Sequence, residues 1–184
     1  ISYTNKEKIK KLINKLEDQN FEITETQKVT AALGMQIQQD KDSITLSQPS
    51  YVDTMLKDFD LEHVVERKSP PAKWLEPSNA EDKAVDEKLY RSIIGCLSYL
   101  TQTTRPDIEQ FTFHLATFVS NPSEKHWNAV IHLLGYLKKF PNKGIRYSIP
   151  KDLTNPNYLW WFYVDADWAG DLQTRKSTTG YIIS

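Results

Sequence analysis

Residues 159–171 read Leu159-Trp160-Trp161-Phe162-Tyr163-Val164-Asp165-Ala166-Asp167-Trp168-Ala169-Gly170-Asp171, and this stretch decides how the rest of the chain is interpreted. Its first six residues are apolar or aromatic, a composition that is typical of a central β-strand. Asp165 follows them directly, where the strand is predicted to end. Nucleases that use two metal ions hold magnesium with carboxylates in such positions, so Asp165 is a candidate metal ligand and catalytic residue.

The aspartates of this stretch also fit simpler interpretations. One carboxylate cannot position two ions, and Asp167 shares a face with Asp165 only if the strand continues beyond its predicted end. Solvated turn residues are therefore an open alternative. A calcium-binding helix-loop-helix is excluded, because its twelfth position is Lys176 instead of glutamate and a strand precedes the motif. The Asp-x-Asp of sugar-nucleotide transferases also matches, but nothing else in the sequence supports it.

The composition describes a globular chain without a strong overall charge. Among 184 residues, 39% are apolar and 11% aromatic, enough to bury a core in one domain or two small ones. The net charge is −1, so nucleic-acid binding would have to use local basic patches. The single cysteine, Cys96, excludes an internal disulfide, and the four histidines show no metal-ligand spacing with it. The apolar segment 93–100 is too short to span a bilayer, and the start at Ile1 instead of methionine suggests a piece of a longer protein.

Hydrophobic periodicity predicts a mixture of helices and strands. Apolar residues recur at helical spacing in segments that begin near Thr4, Pro49, Leu89, Pro106 and Ser123. Alternation predicts a hairpin from 32–39 and 43–48 with its turn at 40–42. Further strands are predicted at 21–24, 145–149, 159–165 and 179–184. Prolines and charged residues between 62 and 86 predict a linker or an extended crossing segment, pinned to a neighbour by Trp74 and Leu75.

Three blocks of sequence carry a family resemblance. The first runs from Leu33-Gly34-Met35-Gln36-Ile37 to Tyr51-Val52. The second contains Tyr90-Arg91-Ser92-Ile93-Ile94-Gly95, Leu97-Ser98-Tyr99-Leu100 and Thr104-Arg105-Pro106-Asp107-Ile108. The third is the Asp165–Asp171 block with Arg175-Lys176-Ser177-Thr178 after it. In this order, the blocks resemble the Pol polyprotein of copia-type (Ty1-type) long-terminal-repeat retrotransposons, and with matching helix residues between His126 and Lys138 the resemblance covers essentially the whole chain.

The resemblance implies an α+β fold made from parts of two domains. It assigns residues 1–61 to the C-terminal part of a reverse transcriptase palm, 62–88 to a linker and 89–143 to a helical thumb or connection. Residues 144–184 would be the truncated N-terminal part of a ribonuclease H domain, with its first strands. The polymerase signature Tyr-x-Asp-Asp would lie upstream of Ile1 and the later ribonuclease H carboxylates beyond Ser184, so the fragment alone is expected to be catalytically inactive.

The resemblance also implies functional residues. Leu33, Gly34 and Met35 would form the primer grip, a tight hairpin that places the primer end, although an ordinary hairpin glycine is an alternative for Gly34. Arg105 would lie at the turn between two thumb helices, where it would contact phosphate or cap a helix. Asp165 would be the first metal-binding carboxylate of ribonuclease H.

A local basic stretch around the end of the last thumb helix is suited to a nucleic-acid backbone. It consists of Lys138, Lys139, Lys143 and Arg146. A solvated helix end, whose cations interact favourably with the helix dipole, explains the same pattern.

For the parent protein, the resemblance implies reverse transcription of element RNA, with Mg²⁺ as cofactor. Its partners would be an RNA or DNA template–primer and the remainder of the Pol polyprotein, without membrane association. Its location would be the cytoplasm, in virus-like particles, or the nucleus. Two other interpretations stay open at this point: a retained nucleic-acid-binding or protein-interaction module, and a non-functional transposon relic.

Overall fold

Two compact units make up the protein, Ile1–Ser148 and Ile149–Ser184. The computed structural model describes residues 6–22, 29–148, 162–166, 175, 177 and 179–183. Helices and antiparallel strands are mixed along the chain, which confirms the predicted α+β class. The helices are α1 (Lys6–Glu17), α2 (Pro49–Asp58), α3 (Glu87–Thr103), α4 (Glu109–Ala116) and α5 (Glu124–Lys139), and a 3-10 turn (Pro106–Ile108) precedes α4. The strands are β1 (Ala31–Ala32), β2 (Met35–Gln39), β3 (Ser43–Ser47), β4 (Gly144–Ser148), β5 (Phe162–Ala166) and β6 (Thr179–Ile183).

Strands β1 to β4 form one antiparallel sheet in the order of their numbers. The predicted hairpin is confirmed, since β2 pairs with β3 from Gln36–Ser47 to Gln39–Ile44. β4 pairs with β3 along its whole length. A Cβ atom at Gly144 would lie 1.9 Å from the carbonyl oxygen of Leu46, so the two strands approach each other this closely only because residue 144 is glycine.

The division between the units differs from the predicted one. Residues 144–148 were expected to begin the ribonuclease H part, but they form β4, which completes a sheet built by residues 31–47. The physical reason is the backbone pairing with β3, which ties this segment to the first unit. Phe21 and Glu22 lie outside any strand, and the rest of the strand predicted at 21–24 lies outside the described residues.

The core of the first unit lies between its helices. The hydrophobic side chains with no exposed surface on α3, α4 and α5 are Tyr90, Ile93, Leu97, Leu100, Leu115, Val130, Leu133 and Leu137. On α3 and α5 they recur three or four residues apart, as an amphipathic helix requires. Burying each such aliphatic side chain stabilises the fold by about 1.5 to 3 kcal/mol. The helices predicted to begin near Pro49, Leu89, Pro106 and Ser123 are therefore confirmed, although the 3-10 turn comes before α4.

Residues 62–77, here called the strap, form an extended crossing segment that leads from α2 towards α3. The backbone N–H of Arg67 donates to the carbonyl oxygen of Gly135 in α5, at 3.1 Å. A Cβ atom at Gly135 would lie 2.2 Å from the carbonyl oxygen of Val65. The strap therefore crosses α5 at the one residue of that helix that has no side chain.

Three histidines hold the strap through its backbone. The N–H of Leu75 donates to Nε2 of His114 at 2.9 Å. Nε2 of His126 donates to the carbonyl oxygen of Glu76 at 2.9 Å, and Nε2 of His132 donates to that of Ser69 at 3.1 Å. These contacts give the three histidines packing roles, in agreement with the absence of metal-ligand spacing in the sequence. Trp74 packs its ring edge-on against His114, with centroids 4.1 Å apart, so the predicted anchors Trp74 and Leu75 are confirmed.

The second unit contributes a two-stranded hairpin, in which β5 pairs with β6. Asp165 lies opposite Gly180, and Val164 lies opposite Tyr181. The strands predicted at 159–165 and 179–184 are confirmed over the residues that the structure describes. Val164 and Tyr181 are cross-strand partners and therefore lie on the same face of the hairpin. They are 70% and 74% exposed, so the described residues do not bury that face at this position.

Candidate nucleic-acid interface

The turn between β1 and β2 has a strained backbone and an exposed apolar tip. Leu33 has φ 51° and Gly34 has φ 73°, so both central residues are left-handed, as in a type I′ hairpin turn. Glycine accepts this conformation readily, whereas leucine adopts it at an energetic cost. The side chain of Leu33 is 86% exposed. A strained residue that presents an apolar side chain to solvent is typical of a contact site rather than of a packing site.

A tyrosine of α3 fixes this turn. The hydroxyl of Tyr99 donates to the carbonyl oxygen of Leu33 at 3.0 Å. Tyr51 packs edge-on against the Tyr99 ring, with centroids 5.0 Å apart. A Cβ atom at Gly34 would lie 3.1 Å from the Tyr99 hydroxyl oxygen, so a larger residue there would crowd this hydrogen bond. The tip is therefore held against the helical part of the unit and does not depend on the hairpin alone.

The sheet brings the turn and the basic stretch to the same end. Gln36, next to the turn, lies opposite Ser47 at the end of β3, and Ser47 lies opposite Gly144 at the start of β4. Lys143 directly precedes Gly144. The β2 and β4 ends are two inter-strand spacings apart, roughly 10 Å. An exposed apolar tip and an exposed lysine thus flank the same end of the sheet.

Lys143 is exposed, but its position is fixed by two aromatic rings. Its Nζ donates to the hydroxyl of Tyr136 at 2.9 Å. The same nitrogen lies 5.2 Å from the centroid of the Tyr136 ring and 4.9 Å from that of Phe140. Cation–π attraction holds the ammonium group there without neutralising its charge. Lys143 can therefore attract an anion while losing little side-chain entropy.

Arg146 lies on the polar face of the sheet. It pairs with Thr45, which in turn lies opposite Gln38, so the three side chains point to the same side. Arg146 and Gln38 are exposed. A shallow concavity of about 400 Å³ beside them is lined by Thr30, Ala31, Gln36, Ile37, Gln38 and Ser47. This face offers hydrogen-bonding groups and one cation next to the turn.

Lys138 and Lys139 are already engaged by the strap. Nζ of Lys138 donates to the carbonyl oxygens of Glu62 and Val64, the latter at 3.1 Å. Nζ of Lys139 forms an ion pair with the Glu66 carboxylate at 3.1 Å. The sequence grouped these lysines with Lys143 as one basic stretch, but the structure gives them different environments.

The predicted phosphate contact of Arg105 does not agree with its position, because its side chain is 1% exposed. Nε and Nη2 donate to the two oxygens of Asp107 at 2.9 and 3.0 Å, and Nη1 donates to the carbonyl oxygen of Phe140 at 3.0 Å. Arg105 therefore caps the end of α5 and stays out of contact with solvent.

The carboxylate of Asp107 completes this network. It also accepts a hydrogen bond from the hydroxyl of Tyr136 at 2.7 Å. Burial alone would raise the pKa of Asp107, but the hydrogen bonds from Arg105 and Tyr136 and the nearby cations outweigh it and hold that pKa below its usual value. The network thus connects the buried arginine to Tyr136, which positions Lys143.

Asp165 lies at the end of β5, as predicted, and it is exposed. Its Oδ1 accepts the backbone N–H of Ala166 at 2.9 Å. Asp167 and Asp171 lie outside the described residues. Within the part of the chain that the structure describes, no group of three His, Cys, Asp or Glu residues could hold a metal ion. Among the described residues of β5 and β6, Asp165 supplies one carboxylate, whereas a two-metal magnesium site needs several.

Sequence reasoning missed Tyr99 and Tyr136 as residues that position the interface. Both lie in segments that carry the family resemblance, but a tyrosine on an amphipathic helix is indistinguishable from a core residue by periodicity. The useful signal is the hydroxyl, because a partly buried tyrosine hydroxyl usually finds a hydrogen-bond partner.

Retrovirus-related Pol polyproteins of plant transposons are relatives of this chain, and the chain belongs to that family. The Pol polyprotein from transposon TNT 1-94 of Nicotiana tabacum is 31% identical over 189 residues, which cover 96% of this chain and 14% of the relative. That from transposon RE1 of Arabidopsis thaliana is 33% identical over 168 residues, which cover 90% of this chain and 11% of the relative. This confirms the family that the three sequence blocks indicate.

A shorter relative is also similar. The uncharacterized mitochondrial protein AtMg00810 of Arabidopsis thaliana is 30% identical over 149 residues, which cover 81% of this chain and 60% of the relative. The chain thus spans less than two thirds of each of these three relatives. No family model matches the chain, and no solved structure matches it significantly. Among the described residues, no helix is long and apolar enough to cross a membrane.

Proposed function

We propose that this chain comprises the end of the reverse transcriptase and the start of the ribonuclease H of a retrotransposon Pol polyprotein. On this proposal, residues 1–61 belong to the palm, 89–143 are the helical thumb or connection, and β5 and β6 are the first ribonuclease H strands. Similarity to Pol polyproteins along 96% of the chain supports the assignment. The parent enzyme would copy element RNA into DNA within particles in the cytoplasm.

The activity that we assign to the first unit is the binding of a template–primer duplex. One observation carries this assignment: the left-handed turn at Leu33–Gly34 and the fixed cation of Lys143 flank the same end of one sheet. The exposed Leu33 side chain would pack against a sugar or base at the strand end. Lys143 and Arg146 would neutralise backbone phosphates, which supply most of the affinity without reading sequence.

Duplex binding is expected to weaken steeply with salt. If Lys143 and Arg146 each neutralise one phosphate, raising salt from about 50 mM to about 200 mM should lower the affinity roughly twelve-fold. Lys143→Gln and Arg146→Gln should each reduce the logarithmic salt slope by about one. Fluorescence anisotropy with a labelled RNA–DNA duplex measures both quantities.

A lysine at the opposite end of the sheet provides the control for this experiment. Lys41 is exposed in the turn between β2 and β3, so Lys41→Gln removes the same charge far from the proposed interface. Its affinity and salt slope should match those of the unaltered protein. If Lys41→Gln and Lys143→Gln change the affinity and the salt slope equally, the binding is nonspecific charge attraction, which contradicts the assigned site.

The chain alone is expected to lack magnesium-dependent nuclease activity. Two-metal catalysis needs several converging carboxylate oxygens, and Asp165 supplies one carboxylate. Incubation of an RNA–DNA hybrid with the protein and Mg²⁺ should leave the RNA strand intact. Asp165→Asn, purified in parallel, controls for contaminating nuclease. Cleavage by the unaltered protein that Asp165→Asn abolishes would show that the assigned site is complete and would overturn this expectation.

A second candidate function is a binding module that acts outside a full polyprotein. The similarity to AtMg00810 favours it, because the matched residues make up 60% of that shorter relative. The two candidates differ in what the source cells contain. Immunoblotting should detect a species much larger than 21.4 kDa if the chain is part of a polyprotein, and a species near that mass if the module exists separately.

A further inference from the structure

The strap lies over two of the four cations in the basic stretch. Between residues 62 and 69 it runs along the C-terminal half of α5, where Arg67 bonds to Gly135 and the carbonyl oxygens of Glu62 and Val64 accept from Lys138. The Glu66 carboxylate pairs with Lys139. These contacts occupy the ammonium groups of both lysines.

The attachment of this part of the strap is mostly polar. Val64 is 5% exposed and anchors the segment, whereas Val65 is 68% exposed and residues 66–69 are also exposed. The remaining contacts are hydrogen bonds and one ion pair at the surface. Phosphate oxygens can replace the strap at the Lys138 and Lys139 ammonium groups, whereas the bond from Arg67 to the Gly135 carbonyl oxygen is exchanged for bonds to water. Residues 65–69 thus have little apolar contact to lose when they leave α5.

We infer that the strap is an autoinhibitory cover, which limits duplex binding by occupying Lys138 and Lys139. This inference rests on the proposed duplex-binding function and adds a regulatory step to it. The cover acts in two ways, because it occupies the lysine ammonium groups and also places the Glu66 carboxylate where a phosphate would lie. Displacing the strap exposes two cations and removes one repelling charge from the same surface.

Gly135 provides a way to displace the strap from within the helix. Gly135→Ala would place a Cβ atom 2.2 Å from the carbonyl oxygen of Val65, so the strap has to move away, while alanine favours the helix itself. Gly95→Ala is the matched control, because a Cβ atom at this helical glycine of α3 meets no atom within 4 Å. Trypsin reports the displacement, since Arg67 and Lys68 lie in the strap.

We expect Gly135→Ala to accelerate tryptic cleavage after Arg67 and Lys68, and to raise duplex affinity about ten-fold at low salt, with a logarithmic salt slope steeper by about two. Gly95→Ala should change neither property. Adding Lys138→Gln and Lys139→Gln to Gly135→Ala should remove the gain. Faster cleavage without a gain in affinity would overturn the inference.

A second variant tests the cover without straining the fold. Glu66→Gln removes the partner of Lys139 but leaves the Gly135 crossing intact, and it should raise duplex affinity a few-fold. If neither Glu66→Gln nor Gly135→Ala raises duplex affinity, while Lys143→Gln still lowers it, the autoinhibitory role of the strap is overturned and the proposed function stands. Absence of duplex binding by the unaltered protein and by both variants at low salt would overturn the two together.

Discussion

Replacing Arg105 with methionine is expected to lower the free energy of unfolding by about 3 kcal/mol. Methionine retains most of the aliphatic length but removes the nitrogens that bond to Asp107 and Phe140. Removing one partner of a buried ion pair costs about 3 to 5 kcal/mol, because the other charge is left uncompensated. We take the lower end of that range, since the Asp107 side chain is 34% exposed and water solvates it partly.

Urea denaturation of the whole chain measures this loss, and a surface ion pair supplies the control. Arg91 pairs with Glu87 one helical turn away, and their side chains are 60% and 49% exposed. Arg91→Met should therefore change the free energy of unfolding by less than about 0.5 kcal/mol. Arg105→Lys should fall between the two, because lysine keeps the charge but cannot form the two parallel hydrogen bonds.

The same variant separates the two roles that the sequence left open for Arg105. A phosphate-binding arginine would be exposed, and its loss would weaken duplex binding with little effect on stability. A capping arginine gives the reverse result. A stability loss below about 1 kcal/mol together with a reduced salt slope would contradict the structural role that we assign.

The sequence predicts the helices and the hairpin because their signals are local. In α3 and α5 the buried residues recur at helical spacing, and no neighbouring segment is needed to recognise that pattern. The hairpin of β2 and β3 alternates and has a short polar turn. The exposed turn at Leu33–Gly34 was located for a different reason, since its assignment came from family resemblance and the structure then supplied its left-handed backbone.

The environments of the cations were beyond local reasoning. Arg105 has its partner Phe140 35 residues further along the chain, and a lone arginine is usually exposed. Lys138 bonds to strap residues that lie more than 70 positions away in the sequence, so the residues around Lys138 do not indicate this pairing. Gly135 was the available signal, because a glycine inside a helix costs stability and often marks a close backbone approach.

The stability of the fold is also expected to depend on pH through His114, whose imidazole holds the strap. Burial against aromatic side chains and, to a smaller extent, the neighbouring His126 together lower its pKa from 6.5 to about 4. Only the neutral imidazole can hold the strap here, because the N–H of Leu75 donates to the free lone pair of Nε2. Protonation would place two N–H groups against each other.

The direction of the effect follows from proton linkage. In the unfolded chain His114 takes up a proton near pH 6.5, whereas in the folded chain it does so only near pH 4. Between these values the unfolded state binds more protons, so stability falls as the pH is lowered through this range and levels off below it. The difference of about 2.5 pKa units corresponds to a loss of roughly 3 kcal/mol from this group.

Carboxylates titrate near the lower end of the same range, so the measurement compares two proteins at each pH. His114→Gln retains a hydrogen-bond acceptor for Leu75 but does not titrate, and the difference in free energy of unfolding between it and the unaltered protein should shrink by up to about 3 kcal/mol from pH 7 to pH 4. His63→Gln, at an exposed residue, should give a nearly constant difference. If the free energies of unfolding of His114→Gln and of the unaltered protein change in parallel with pH, the folded state does not require His114 to be neutral. The strap would then be held chiefly by the remaining contacts, such as the bond from Arg67 to Gly135.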